Sequence, residues 1–329
     1  MLASFSVSRR AGAFLVAGLL AACALPLAAQ DWPNRPIKLI VPHSPGGATD
    51  AVARLVAQPL GEALGQSIVV DNKPGAGGIL GTDLAALAPA DGYTLLMLVD
   101  ANTVYPSTKL KLNHDPAASF APISLIGRGS HVVVLHPSVP ANNLQELIAY
   151  IRAKPGELSC ALPGANSPQH LALEMIKANA KIDVTPIPYK GGGQAITDIV
   201  GGQVKFGVLG MAPAVPHIKA GRLKAIAVTG STRSGALPDV PTVAESGIPG
   251  FETNQWQSMV APAGTPPAIV NRIHAELVKV MQMPAVKDKL ATIGMDNSSS
   301  PSPEALGKLI RDELDRWPGI VKTAGIKPE

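Results

Sequence analysis

Short apolar runs alternate with glycine-rich turns and helix-period segments along most of the chain, and this alternation restricts the fold more than any other feature of the sequence. KLIVP at 38–42 runs into Ser44-Pro45-Gly46-Gly47, and a helical pattern follows over 48–64. IVVDN at 68–72 leads into Pro74-Gly75-Ala76-Gly77-Gly78 and another helix, and YTLLMLV at 93–99 supplies a third strand. A β-α-β-α-β order predicts a parallel sheet with helices on both faces and right-handed crossovers. The pattern changes at ISLIGRGSHVVVLHP (123–137), a long apolar run broken at Gly127 and Gly129, which predicts a strand crossing between two halves. The alternation then restarts with a helix over 142–153, a strand at 158–162, a helix over 167–179, and strands at 184–189, 204–210 and 223–230. SMVAP (258–262) precedes Gly264-Thr265-Pro266-Pro267 and three helical stretches ending near Ala324. The simplest reading is an α/β protein of two lobes, each a mainly parallel sheet flanked by helices. Residues 31–128 plus 253–329 form one lobe, residues 129–252 are inserted as the second, and two strands cross the waist. A length of 329 residues agrees, since beyond roughly 250–300 residues single cores tend to split.

Residues 1–30 place Arg9 and Arg10 before an apolar Ala/Leu run and end in small residues ahead of Asp31. This is the order of a secretory signal, and Pro26 argues against a membrane-spanning helix. Leu27-Ala28-Ala29 before Gln30 suits ordinary signal peptidase, whereas Leu20-Ala21-Ala22-Cys23 resembles a lipobox; the first fits better, because residues 24–30 continue as a cleavage region. The protein is therefore expected in the periplasm, with anchoring through Cys23 the less favoured route. Cys160 is then the one cysteine of the mature chain, and its setting in LSCAL reads as a small core hydrophobe. Lysine and arginine number 28 against 24 acids, with two of the arginines inside the export segment. So small an excess gives no electrostatic footprint for nucleic acid.

The turn after the first strand carries the clearest chemistry. Pro45-Gly46-Gly47 lets the backbone turn tightly before a helix, and unpaired amides at a helix N-terminus attract anions without a basic side chain. The segment reads either as a carboxylate or phosphate cradle or as an ordinary strand-to-helix turn. Asp50 lies in the first helical turn, where it favours the dipole and can pair with Arg54 to stiffen the loop. In the second half, Gly164-Ala165-Asn166-Ser167 follows a strand, Ser167 can cap the next helix with Pro168 at its first position, and His170 lies one turn on. Tyr189-Lys190-Gly191-Gly192 again joins strand to helix. Ligands of open α/β sheets bind beyond the carboxyl ends of strands, so such loops on two lobes would face one cleft. Further walls are expected at Asp100-Ala101-Asn102-Thr103 and Gly210-Met211-Ala212-Pro213. Gly75, Gly77 and Gly78 make neither a Walker loop nor a dinucleotide fingerprint. No G-x-S-x-G or H-E-x-x-H occurs, the seven histidines are dispersed, and His43 beside Ser44 does not establish a triad. No catalytic residue, metal or cofactor is expected.

WPNRPIKLIVPHSPGGATDAVAR, VVDNKPGAGGILGTDLAALAPADGYTLL, IPYKGGGQAITDIVGGQVKFG, GRLKAIAVTGSTRSGALPDVPTVAESGIPGFE and WQSMVAPAGTPPAIVNRI occur in that order, and together they resemble the Bug/TctC-type solute-binding proteins of tripartite tricarboxylate transporters. The resemblance implies a Venus-flytrap fold without catalysis, a small organic carboxylate held between the lobes, and delivery to large and small membrane subunits. It implies that Ser44-Pro45-Gly46-Gly47 and Gly164-Ala165-Asn166-Ser167 grip one carboxylate group, partly through water, with Tyr189-Lys190-Gly191-Gly192 beside them. Two departures bear on ligand preference: His43-Ser44 stands where such proteins usually carry an aromatic-plus-alanine pair, and Ala165-Asn166 interrupts a usual Gly-x-Gly-Ser. Asn adopts left-handed backbone geometry nearly as glycine does. A periplasmic sensor would use the same pocket, while a secreted hydrolase would need an activated nucleophile that the sequence does not display.

The exported protein is expected to begin near Gln30 or Asp31, which an intact-mass measurement on periplasmic material checks; a lipid on Cys23 would contradict it.

Overall fold

The computed structural model describes residues 32–108 and 110–323, so the export segment with Cys23 and the predicted helix end near Ala324 lie outside the described residues. The chain runs β1 (Ile37–Val41), α1 (Ala48–Leu64), β2 (Ile68–Asn72), α2 (Ile79–Ala86), β3 (Thr94–Val99), α3 (Ala101–Val104), β4 (Phe120–Leu135), α4 (Leu144–Ala153), β5 (Ser159–Leu162), α5 (Pro168–Ala180) and β6 (Thr185–Pro188). It continues through α6 (Gly192–Val200), β7 (Phe206–Gly210), α7 (Met211–Lys219), β8 (Lys224–Val228), β9 (Asn254–Pro262), α8 (Pro267–Gln282), α9 (Pro284–Thr292), β10 (Met295–Asn297) and α10 (Pro303–Thr323).

The apolar spacing of α1 shows why these segments fold as they do. Val52, Ala53, Val56, Ala57, Leu60 and Leu64 recur at helical spacing and are all buried. Each fully buried Val or Leu contributes about 1.5–3 kcal/mol. The helix stops at Gly65, whose φ of 78° is left-handed and whose N–H closes onto Gly61 and Glu62 carbonyls. In the strands the period is two. Val133, Leu135, Cys160, Leu162, Phe206 and Val208 pack on one face with α4 and α5, while Val132, Val134, Ala161 and Leu209 pack on the other with α6 and α7. Cys160 is a free, fully buried member of that core, and burial pushes its thiol pKa up.

The strand order is β2-β1-β3-β9-β4-β7-β5-β6, with β8 and β10 also paired to β4. β1 is parallel to β2 and β3, and β5 is parallel to β6 and β7. β4 joins these two groups. It runs antiparallel to β9 from Phe120 to Ser130, then antiparallel to β7 from His131 to Leu135, so the partner changes between Ser130 and His131. The second crossing reaches the waist as residues 251–253 and becomes strand at Asn254. It is tied there by Thr253 N–H donating to Thr229 O at 2.9 Å and by Thr229 Oγ1 donating to Thr253 O at 2.7 Å.

Gly127 and Gly129 do not interrupt β4, contrary to the expected break. They admit β10: a Cβ on Gly127 would lie 2.8 Å from Asp296 O, and one on Gly129 would strike Gly294 O. Backbone against backbone cannot be relieved by a rotamer. Gly129→Ala is therefore expected to destabilise by about 1–3 kcal/mol, read as a lowered urea midpoint at unchanged slope.

Candidate functional site

All six parallel strands end at one cavity. Its wall is made by His43, Gly47, Ala48 and Thr49 after β1, Gly77 after β2, and Val99, Asp100 and Ala101 at the end of β3. Across from these stand Pro163, Gly164, Ser167 and Gln169 after β5, Gly192 after β6, and Gly210 and Pro213 after β7, with Gln255 and Gln257 of β9 between the two groups. The cavity measures about 40 Å³.

A parallel strand must be followed by a crossover, so a helix N-terminus stands at each of these strand ends. α1, α6 and α7 start at Gly47, Gly191 and Gly210, and none of the three has a side-chain cap. Their first amides have no intrahelical acceptor. α5 starts at Ser167, whose Oγ accepts from His170 N–H at 3.2 Å and donates to Gly164 O at 2.8 Å. Four helix N-termini of eight residues or more thus contribute to one wall. Among the described residues no lysine or arginine lines it. Each helix end carries roughly half a positive charge, so the cavity favours an anion through fixed dipoles alone.

The two sides touch. A Cβ on Gly191 would lie 2.5 Å from Ser44 Oγ and 2.7 Å from Ser44 N, one on Gly193 would strike Pro45 O, and one on Gly164 would lie 3.0 Å from the Gly77 Cα. Glycine is required at 191 and 193 by this close approach. Asn166 takes φ +54°, and its N–H donates to His170 Nδ1 at 3.0 Å, so asparagine serves the left-handed position in this loop.

Of the residues singled out from sequence, Gly47, Gly164, Ser167 and Gly192 line the cavity, as do Asp100, Ala101, Gly210 and Pro213 of the two expected wall segments, while the others stand behind or outside it. Pro45 and Gly46 are exposed. The Gly46 amide donates to Asp50 Oδ2 at 2.9 Å, which leaves it unavailable to an anion. Asp50 itself is bound by Arg54 Nε at 3.0 Å and by Asn72 Nδ2 at 3.0 Å. Ser44 Oγ is buried against Gly191 without a hydrogen-bond partner among the described residues. Ala165 borders the loop contact, its carbonyl facing Gly77. His170 is turned to the Asn166 amide and to Glu174, 3.7 Å from its Nε2. Tyr189 donates to Asp198 Oδ2 at 2.7 Å, and this bond and burial push its pKa up to about 12. Lys190 is exposed. Asn102 accepts from Val99 N–H at 3.0 Å and donates to Thr82 Oγ1 at 3.0 Å, and Thr103 donates to Asp100 O at 2.7 Å, so both shape the turn behind Asp100.

Gln255 and Gln257 are wall residues that the sequence did not reveal, and His43 and Asp100, both noted in the sequence, also stand on the wall. His43 is held by Gly77 O at 3.2 Å from Nε2 and Thr49 Oγ1 at 3.3 Å from Nδ1. Burial drops its pKa to about 4, only partly countered by the Gly77 carbonyl. Both ring nitrogens being occupied, it does not serve Ser44 as a base. Asp100 lies 3.8 Å from His131 Nε2, and His131 Nδ1 receives Gln169 Nε2 at 3.1 Å. Burial lowers the His131 pKa to about 3, so both imidazoles are neutral at physiological pH. The same burial raises Asp100 well above the usual carboxylate range. Gln255 Nε2 donates to Ser130 O at 3.1 Å, fixing β9 where β4 changes partner.

Comparison with known proteins shows the family and the fold of the chain. Residues 52–326 match the family described as tripartite tricarboxylate transporter family receptor. Protein BugT of Bordetella pertussis strain Tohama I is 38% identical over 313 residues, 93% of this chain and 94% of that protein. The solved structure of periplasmic binding protein BugD has a TM-score of 0.86 at 33% identity, covering 90% of this chain and 99% of the other. The structure of R. palustris Rpa4515 with adipate gives 0.86 at 33% identity, with 90% and 99% covered.

Because the Gly193 clash with Pro45 is between backbones, Gly193→Ala is expected to keep the folded CD spectrum while holding the cleft open. Solution scattering should show a larger radius of gyration than the parent under the same saturating ligand; an identical radius would show that this contact does not gate closure.

Proposed function

The chain belongs to the tripartite tricarboxylate transporter receptor family, and from that premise we propose that its cleft holds one small organic carboxylate on backbone amides and delivers it to the large and small membrane subunits of the transporter. The observation that carries this reading is the convergence of α1, α5, α6 and α7 N-termini on a cavity that no lysine or arginine among the described residues lines. An anion at such ends gains about 0.3–1 kcal/mol per helix, and up to about 2 where partly buried. Amides fixed in place need no reorganisation when the anion arrives. The adipate seen in Rpa4515 supports a carboxylate as the ligand class.

In this reading residues 31–128 with 253–329 and residues 129–252 are the two lobes, a boundary supported by the change of β4 partner at Ser130 and His131. Gly47, Ala48, Thr49 and Gly77 approach the ligand from one lobe, and Gly164, Ser167 and Gly192 from the other. Ser44 stands at the contact between them. The family is a receptor family, and binding without turnover is the activity proposed here. The protein reaches the periplasm through the export segment at residues 1–30.

Calorimetry and thermal unfolding over a carboxylate library test the proposal. A true ligand at 100 times its Kd should stabilise by about 2.7 kcal/mol and be recovered chemically unchanged. In Gly47→Val, added atoms would crowd Ser44 O at 3.3 Å and the Gly193 amide at 3.5 Å, and the stabilisation should disappear while the unliganded fold survives. A library without a single stabilising carboxylate would refute the reading.

A further inference from the structure

The β3 and β9 side of the same cavity has the opposite chemistry to the helix ends. Asp100 is 4% exposed and Gln257 3% exposed, and both line the cavity. Asp100 Oδ1 accepts from Ala101 N–H at 3.0 Å. Its Oδ2, and the Oε1 of Gln257, have no hydrogen-bond partner among the described residues. Once Asp100 ionises, two buried acceptors on one wall call for a donor, because a buried polar atom left unsatisfied forfeits its solvation. The neighbour placed to answer Asp100 is His131, whose Nε2 lies 3.8 Å away, beyond hydrogen-bond reach. Gln169 holds His131 from the Nδ1 side at 3.1 Å, which directs the ring proton to Nε2. Burial keeps this imidazole uncharged. The other ionisable groups acting on Asp100 are Glu313, which opposes its ionisation, and Tyr105, whose own ionisation the Asp100 charge opposes. None of the three supplies a cation.

Resting on the carboxylate reading above, we propose that Asp100 and Gln257 bind a protonated amine of the ligand, so that the receptor selects amino acids over carboxylates lacking the amine. An ammonium group offers three donors and the counter-charge that a buried carboxylate lacks. A second carboxylate at this position would instead meet two acceptors. The ligand would lie across the cavity, its carboxylate on the amides of α1 and α6 and its amine towards the carboxyl end of β3. Asp100 is therefore a specificity-determining residue, placed where β3 ends and beside the strand crossing.

Matched pairs differing only in the amine, such as alanine and propionate, aspartate and succinate, or glutamate and glutarate, test this by calorimetry on the full mature protein. For the pair that fits, the wild type should prefer the amino member by about 10- to 100-fold, the range of a charge-assisted bond. Asp100→Asn, nearly isosteric, should reduce that ratio towards unity chiefly by weakening the amino member, whereas a merely structural role would weaken both members together. If the wild type binds the members that lack the amine equally or better, the ammonium assignment is overturned and the carboxylate reading stands. If no member of any pair binds, both fall. The wild-type comparison decides the matter even if Asp100→Asn fails to fold.

Discussion

In a parallel sheet every strand hands the chain to a crossover at its carboxyl end, and the six parallel strands among the described residues all do so around one cavity. The rest of the site depends on that constraint. A helix that starts at a strand's carboxyl end turns its unsatisfied amides towards the space beyond the sheet. Two parallel groups joined through β4 and β9 turn those ends towards each other. The helix ends make their side of the cavity electropositive as a consequence of topology, without a lysine or arginine among the described residues that line it.

This origin of the charge explains the glycines around the cavity. Amides act only at short range, so the loops that carry them must come close to the ligand and to each other. Gly191 and Gly193 stand where a side chain would strike Ser44 or Pro45. A lysine could reach the same anion from farther away and tolerate looser packing, but it would fix a mobile charge beside two neutral imidazoles and a buried acid. Leaving His43 and His131 uncharged keeps the proposed anion-binding contribution in the backbone, where it is set by geometry and not by pH over the physiological range.

The fold was legible because strands buried on both faces read as continuous apolar runs, and glycine-rich turns mark where each run ends. For the same reason the loops at 44–47, 164–167 and 191–192 could be found without a structure. His131, Gln255 and Gln257 could not, and Asp100 was legible only as part of a wall segment, without a role of its own. They are polar residues within or at the ends of strands, and nothing in their immediate sequence tells a side chain that faces the cavity from one that satisfies the waist. The start of β9 was hidden likewise, since Asn254-Gln255-Trp256-Gln257 lacks an apolar run and only 258–262 displays one. Gly210-Met211-Ala212-Pro213 was expected as a wall segment, and it opens α7, with Pro213 in the first turn, where its missing N–H costs no hydrogen bond. β10 is three residues long, and only its pairing across Gly127 and Gly129 gives it away.

Asp50 shows how the topology is protected from its own charges. A carboxylate in the first turn of α1 would compete with a ligand anion for the same dipole if it faced the cavity. Burial alone would raise its pKa, but Arg54, the Gly46 amide and Asn72 together hold it below the usual value, so it stays ionised. The same three groups turn it away from the cavity, with Arg54 Nε at 3.0 Å balancing its charge and Asn72 Nδ2 also donating to His43 O at 3.1 Å. The loop that carries His43 and Gly47 is thereby anchored from behind, and Ala48 and Thr49, which line the cavity, keep their amide field for a ligand. With Asp50 held from behind by Arg54, the proposed anion site at this turn is compatible with a carboxylate in its first helical turn.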